Sequence, residues 1–480
     1  MKDYQKAITA ISIFLMLFGK FLPPIMGLTS TGMAVLCIFA GVILLWLTVS
    51  VSWPCVLCIV ALIMTDVYGY SDGMKASFGS WVVAFVMFSS MVTYTLRQTG
   101  FLKRVAAWFI TRPIAKKNPW MFLTVLFLAV IFIGSFMSPV PDFVVFLPII
   151  EEIFNDLGYQ KGDRFPAYVT LSVLFFASLS TMTTPIAHTV PILAFSLYEE
   201  TAGAPIDLLK FTVFGVVTTL AVLLVVMLYL RFVVKLDVSR LQKVDEDKFA
   251  TQGKMSIQEK ITMWVFICVI IMWFLPGLIK NSMPGLYAFL SDLGTPGPAL
   301  IGTVVLCLIH IDGKPLMNIS DTMKNGVSWV AILMVAATGI LGSAMTNKDV
   351  GITAAFTSAL APAFGNMNPW LFVIIVSVLT VLITNFASNT ATVTILCSIV
   401  LPLVFAGGAI SNVNAAAVTC VIGAGASVAC ATPASTAHAA IAGGSGWVDT
   451  RTMLKAGLAE SMIAALLIAL VGYPILAALM

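Results

Sequence analysis

The sequence predicts an all-α polytopic membrane protein: about eleven transmembrane helices and two re-entrant hairpins, arranged as inverted-topology repeats. Three observations predict it. Of 480 residues, 60% are hydrophobic and 10% charged, against roughly 25% charged in a soluble domain. Apolar stretches of membrane-spanning length recur from end to end. One segment occurs twice at an offset of 250, with its neighbours repeated in the same order. The longest polar stretch, 234–260, is too short for a soluble module, and a net charge of +4 gives no sign of nucleic-acid binding.

A hydrocarbon core of about 30 Å takes about 20 apolar residues as a helix. Crossings are expected near 7–27, 31–49, 53–67, 80–98, 167–197, 208–233, 258–277, 297–311, 326–344, 413–443 and 453–479. The first lacks a small-residue cleavage site and reads as a retained helix. Two further apolar blocks, 119–155 and 369–408, are interrupted near their centres and read as hairpins that enter and leave by one face. The expected organisation is N-terminal scaffold helices over 1–79, a first repeat over 80–233, a cytoplasmic linker over 234–257, scaffold helices over 258–325 and second-repeat elements over 326–480. All eight cysteines lie in apolar segments and read as buried thiols; the pair Cys55 and Cys58 has no second pair or histidine cluster to make a metal site.

Lys and Arg concentrate on the cytoplasmic side of short loops. With the N-terminus inside and both interrupted blocks folded as hairpins, 21 of the 26 Lys and Arg fall inside. The exceptions are Lys20, Lys75, Lys210, Lys280 and Lys348. Turning the hairpins into full crossings would invert the middle of the chain and spoil this bias.

The two blocks resemble each other. NPWMFLTVLFLAVIFIGSFMS begins at Asn118 and NPWLFVIIVSVLTVLITNFAS at Asn368; seven of these 21 positions match. Upstream, Ser80-Trp81-Val82 recurs as Ser328-Trp329-Val330. Downstream, the polar interruption ASLSTMTTP at 177–185 recurs as ASVACATP at 426–433. Five crossings separate Trp81 from Trp329, and an odd number inverts the second copy. The charges agree: residues 97–117 hold six Lys and Arg, while 345–367 hold only Lys348. Inverted repeats with broken helices at mid-membrane are a secondary-transporter architecture.

Polar interruptions need a reason, because irregular backbone within the membrane is tolerated only inside protein or beside a water-filled cavity. A tip at Ser388-Asn389-Thr390 would aim the N–H groups of the next half-helix at a bound anion. Carbonyls of the preceding arm, with Ser and Asn oxygens, suit Na⁺. Pro433 frees a carbonyl in the second break. One isolated break would read as a simple Pro kink; two symmetry-related breaks, each after a hairpin, read as a binding site.

On these features, SNT at 388–390, the repeated hairpin and the ATP triplet at 431–433, residues from about 30 to 480 resemble the divalent anion–sodium symporter family, the di- and tricarboxylate carriers of the ion-transporter superfamily. The resemblance implies a homodimer working by an elevator motion. It implies an SNT triplet at each hairpin tip and two sodium sites flanking a carboxylate. Carried onto this chain, it assigns Ser388, Asn389, Thr390, Thr432 and Pro433 to the substrate, with Thr184, Pro185 and Ser138 as first-half counterparts. Asn385, Ser388, Asn389, Ala431 and Ser138 join the cation sites. The first tip departs from the pattern: it reads Ser138-Pro139-Val140, so half the carboxylate clamp is absent. After ATP the chain reads ASTAH, ending at His438, where the family often has Pro-Asn.

Asp142, just past the first tip, is a mid-membrane carboxylate of the kind that is usually functional. It reads as a cation ligand, a proton carrier, or an acid reaching cytoplasmic water. His188 and His438 follow the two breaks and read as substrate or proton contacts, or as links between helices. Glu151, Glu152, Glu199 and Glu200 read as solvated helix ends. No predicted core contains an Arg. No nucleotide fingerprint or catalytic set is present, so an enzyme is not expected and transport would draw on an ion gradient or exchange. The expected function is cation-coupled symport of a small di- or tricarboxylate in the cell inner membrane, with Na⁺ as coupling ion, no organic cofactor, and lipid and a second copy as partners. A proton-coupled or exchange carrier and an ion channel are the alternatives.

Overall fold

The computed structural model describes residues 3–480 apart from 26, 244–252, 281, 356–357, 360–366, 406–409, 411 and 434. Residues 244–252 of the expected linker therefore lie outside the described residues, as does the first residue of ASTAH. The described chain is helical almost throughout. Its only strands are a two-residue pair, β1 (His310–Ile311) and β2 (Lys314–Pro315), closed by Asp312 and Gly313 at positive φ, as an Asp-Gly hairpin turn requires.

The repeated motifs start helices. Asn118 and Asn368 are N-caps whose side chains accept from Met121 N and Trp370 N, with Pro at the first helical position. That placement suits both residues, since Pro lacks only an N–H that would be unpaired there. Ser80 and Ser328 likewise cap the helices that begin at Trp81 and Trp329.

The N-terminal part holds α1 (Asp3–Phe18), α2 (Ser30–Thr48), α3 (Trp53–Ile63) and α4 (Tyr70–Ala76). The first repeat holds α5 (Trp81–Gln98), α6 (Phe101–Ile110), the hairpin arms α7 (Pro119–Gly134) and α8 (Pro139–Asp156), the broken pair α9 (Arg164–Leu179) and α10 (Thr189–Ala202), and α11 (Leu208–Leu228). Then come α12 (Ile257–Ile279), α13 (Pro284–Asp292), α14 (Gly297–Leu308) and α15 (Ile319–Asn325). The second repeat holds α16 (Trp329–Thr346), the arms α17 (Pro369–Phe386) and α18 (Asn389–Val404), the broken pair α19 (Ala415–Gly425) and α20 (Ala437–Ser445), and α21 (Thr450–Leu467) with α22 (Tyr473–Leu479).

Helix occurs in each expected crossing, but not as eleven unbroken spans: α1 ends at Phe18, short of the expected 7–27, and 167–197 and 413–443 are each broken into two helices. Seven helices are long and apolar enough to cross alone among the described residues, one of them the hairpin arm α17. The crossings near 80–98 and 297–311 belong to bent pairs, α4 with α5 at 45° and α13 with α14 at 77°. The crossing near 53–67 is an eleven-residue helix, about 16 Å long, which starts at Trp53 as expected and ends early at Ile63. Two of the four glutamates read as solvated are engaged instead: Trp81 Nε1 donates to Glu199 at 2.9 Å and Trp447 Nε1 to Glu151 at 3.0 Å.

The repeats interlock. The arms of each hairpin pack on each other and on the broken helix of their own repeat: α7 and α8 on α9, α17 and α18 on α19. The half-helix after each break packs on the other repeat, α10 on α18 and α19, α20 on α8 and α9. The centre is deeply buried: Arg164–Met182 is 94% buried, whereas Ile257–Pro276 is 28% buried and presents a lipid-facing surface.

Each break is seated against a glycine of the following helix. Gly215 of α11 abuts the carbonyls of Met182 and Thr183; a Cβ at Gly457 of α21 would stand 2.8 Å from Ala431 Cα and 3.1 Å from Cys430 O. These neighbours are backbone and cannot swing aside. Overpacking of this kind costs about 1–3 kcal/mol. Gly457→Ala should therefore lower the melting temperature in detergent by several degrees. Gly444→Ala in α20, where nothing lies within 4 Å, should leave it unchanged.

Candidate functional site

The two tips share a geometry and differ in their donors. Ser138 and Ser388 are the N-caps of α8 and α18, both extended, and neither hydroxyl caps its helix. The first turn of a helix leaves N–H groups without intrahelical partners. At the second tip Asn389, Thr390 and Ala391 all carry one. At the first, Pro139 and Pro141 carry none, which leaves Val140 alone. An anion therefore finds three aligned main-chain donors at one tip and one at the other.

Behind each tip, a Thr-Pro turn clamps the break to the hairpin. Thr432 donates its hydroxyl to Asn385 O at 2.9 Å, and Thr184 donates to Ser135 O. Asn385 and Ser135 are equivalent at the offset of 250. In the second half the clamp is elaborate. Asn385 Oδ1 accepts from Cys430 N at 2.9 Å and Ala431 N at 2.8 Å, and its Nδ2 donates to Val428 O at 3.1 Å and Val381 O at 2.8 Å. Thr384 donates to Ala426 O at 2.7 Å and lies 2.9 Å from Asn389 Oδ1. Asn385 and Thr432 thus close the main-chain groups that the break exposes.

The first half lacks these side chains. Gly134 stands where Thr384 stands, and Ser135 Oγ donates only to Ile131 O of its own helix. The room is taken by Asp142 and Ser180, whose Oδ2 and Oγ a Cβ at Gly134 would meet. Asp142 is fully buried, and neither carboxylate oxygen has a hydrogen-bond partner among the described residues. It does not reach cytoplasmic water, so that sequence reading is set aside. The two breaks also touch: Ser178 Oγ lies 2.7 Å from His438 Nε2 and donates to Ala429 O at 3.3 Å. His438 is buried and ties α9 to α20.

A cavity of about 430 Å³ opens at the first half, a size suited to a small organic ligand. The first tip (with Ser138), the first break (with His188 and Thr189) and the α5 face form its wall, closed by the turn before α16 at Ser328. Of the residues read from sequence as substrate contacts, Ser138 and His188 line it; Thr184, Pro185, Ser388, Asn389, Thr390, Thr432, Pro433 and His438 do not. The α5 face, with Ser89, Ser90, Thr93 and Arg97, was not read from sequence as part of the site. Its period-four hydroxyls inside an apolar span were the available signal. Glu460 was also missed. It is fully buried in α21, accepts from Ser172 Oγ at 2.8 Å, and its Oε2 has no partner. A carboxylate inside the apolar run 453–479 should have marked it.

Residues 34–423 match the family model described as "Citrate transporter". A protein named "Uncharacterized transporter" from Haemophilus influenzae is 23% identical over 75% of this chain and 74% of its own. The "Sodium-dependent dicarboxylate transporter SdcS" of Staphylococcus saprophyticus is 23% identical over 71% of this chain and 66% of its own. The fold is that of the YdaH transporter of Alcanivorax borkumensis, with a TM-score of 0.55 at 15% identity over 90% of this chain and 98% of that one. An all-α chain of apolar spans, with one broken helix facing a hydroxyl-lined cavity and a family match over most of its length, is a multi-pass membrane transporter and not an enzyme; it belongs to the citrate transporter family.

Proposed function

We propose that this protein is a secondary active symporter for a small di- or tricarboxylate, coupled to Na⁺ and working by an elevator-type alternation between the two sides of a cell inner membrane, as a homodimer with its N-terminus in the cytoplasm. The observation that carries the reading is the cavity: one hairpin tip and one broken helix meet there around hydroxyl-rich walls, with Arg97 as the sole formally charged residue among those that line it. An anion of a few carboxylates fits both the volume and the sign. The name of the staphylococcal relative supports sodium dependence.

The division of roles follows from the donors. The second tip, Ser388-Asn389-Thr390, offers three main-chain N–H groups and free side-chain oxygens beside the Asn385 and Ala431 clamp. A cation there would bind against the same rigid unit that carries the tip. The first tip, with Ser138 and the buried Asp142, is the place where coupling can depart from sodium alone. Asp142 without a counter-charge favours a second reading, in which a proton accompanies or replaces one Na⁺.

The deciding measurement is uptake of labelled citrate and succinate into proteoliposomes under an inward Na⁺ gradient, and separately under an inward proton gradient. Sodium-stimulated, saturable uptake is expected; stimulation by the proton gradient alone would favour the second reading. Asn389→Ala should reduce sodium-driven uptake at least about tenfold, since charge-assisted hydrogen bonds are among the strong ones; wild-type rates would remove the second tip from the site. Asn385→Ala leaves two buried N–H groups unpaired, each costing about 1–3 kcal/mol, and should show first as a loss of thermal stability. Asp142→Asn should change the sodium or pH dependence of uptake; an unchanged dependence would make Asp142 a structural residue.

A further inference from the structure

Arg97 occupies an unusual position. It lies in the last turn of α5, where a cation complements the helix dipole, and its cytoplasmic placement obeys the charge bias of membrane proteins. Those two facts account for an Arg at this end of the helix. They do not account for its place in the cavity wall, where it stands half-buried.

Arg97 also lacks a protein partner. Its guanidinium sits over the Tyr94 ring at 5.0 Å, a cation–π contact. Among the described residues it has no hydrogen bond and no ion pair. The nearby carboxylate of Asp321 is engaged elsewhere: Tyr94 Oη donates to it at 3.3 Å and Asn325 Nδ2 at 2.7 Å. A half-buried guanidinium with its five N–H donors uncommitted is a receptor for a carboxylate, which the planar fork can bind bidentately.

The rest of the α5 face gives the receptor a second end. Ser89, Ser90 and Thr93 precede Arg97 on the same helical face, and Ser90 to Arg97 spans about 10 Å of helix. Across the cavity stand Ser138 and the start of α10, where Thr189 follows His188. Nδ1 of His188 is buried without a hydrogen-bond partner among the described residues. The cavity thus carries two separate places for negative charge, one at the tip and break, one at Arg97.

We infer that Arg97 binds the outer carboxylate of the substrate and sets a preference for di- and tricarboxylates over monocarboxylates. This rests on the reading of the cavity as the carboxylate site. A monocarboxylate engages the tip and break alone; a longer anion engages Arg97 as well.

The test is uptake into proteoliposomes, under whichever gradient drives the wild type, comparing succinate and citrate with propionate as competitor. Arg97→Gln should raise KM for succinate and citrate by about tenfold or more, as for a broken buried charge pair, with turnover at saturation within about twofold of wild type. Inhibition by propionate should not change. Arg97→Lys should recover part of the lost affinity, and Lys103→Gln, an exposed charge on the neighbouring helix, should change nothing. Citrate-induced thermal stabilisation in detergent should shrink in Arg97→Gln, giving a binding readout from folded protein. Equal losses for propionate and succinate, or no loss at all with the wild type active, would overturn the inference and leave the carrier reading standing. A wild type that neither transports nor is stabilised by any carboxylate would overturn both.

Discussion

Everything in this structure depends on how two helices can stop in the middle of a membrane. Each break exposes main-chain groups where no lipid can satisfy them. The solution is the same in both halves: a Thr-Pro turn whose hydroxyl is donated to a carbonyl near the end of the adjacent hairpin arm, Thr184 to Ser135 and Thr432 to Asn385. The helices have already ended, at Leu179 and Gly425, and the Thr hydroxyl of the turn satisfies a carbonyl at the end of the hairpin arm. A glycine in the next helix, Gly215 or Gly457, then lets backbone rest on backbone. Tip, break and following helix become one rigid unit, and any ligand between tip and break is held by a scaffold already assembled.

The two halves spend this common device differently. In the second, Thr384 and Asn385 fill the space behind the tip and occupy nearly every polar group they reach. In the first, the equivalent positions are Gly134 and Ser135, and the space is occupied by a carboxylate with no partner. Replacing an amide that closes the break with an acid that does not is a change in chemistry at constant geometry. The prolines on either side of Val140 point the same way, since they remove donors while keeping the helix start. Where the second half has fixed neutral hydrogen bonds, the first has a buried carboxylate with no hydrogen-bond partner among the described residues.

Much of the fold was legible because membranes leave few choices. The repeat at an offset of 250, the charge asymmetry and the polar interruptions located both hairpins and both breaks. NPW and SWV recur for a plain reason: Asn and Ser cap, and Pro begins, the same helices in each copy. The site was less legible. Asn385 and Thr432 read as ligands, yet their hydrogen bonds go to the chain itself, which no local pattern distinguishes from binding. Arg97 and Glu460 escaped for opposite reasons. Arg97 looked like an ordinary cytoplasmic charge at a helix end, and its place in the cavity wall depends on packing. Glu460 lay in a run so apolar that its single carboxylate was overlooked, though its partner Ser172 is 288 residues away and beyond reach of any spacing rule.

The interlocking of the repeats gives the asymmetry its consequence. Because α10 packs on the second hairpin and α20 on the first, neither tip belongs to one half alone. Ser178 completes the link, touching both Ala429 and His438 of the second break. Under the proposed function, a cation bound at either tip would stiffen walls that the other tip shares. That is a physical basis for coupling which needs no direct contact between ion and substrate: the ion removes a repulsion or an unpaired group, and the anion meets a unit already ordered. It also explains why unlike tips are compatible with one mechanism. What must be preserved between the halves is the shared backbone clamp. What can change is the chemistry of the group it encloses, as Asp142 stands beside Gly134 and Thr384 stands in its place across the pseudo-symmetry.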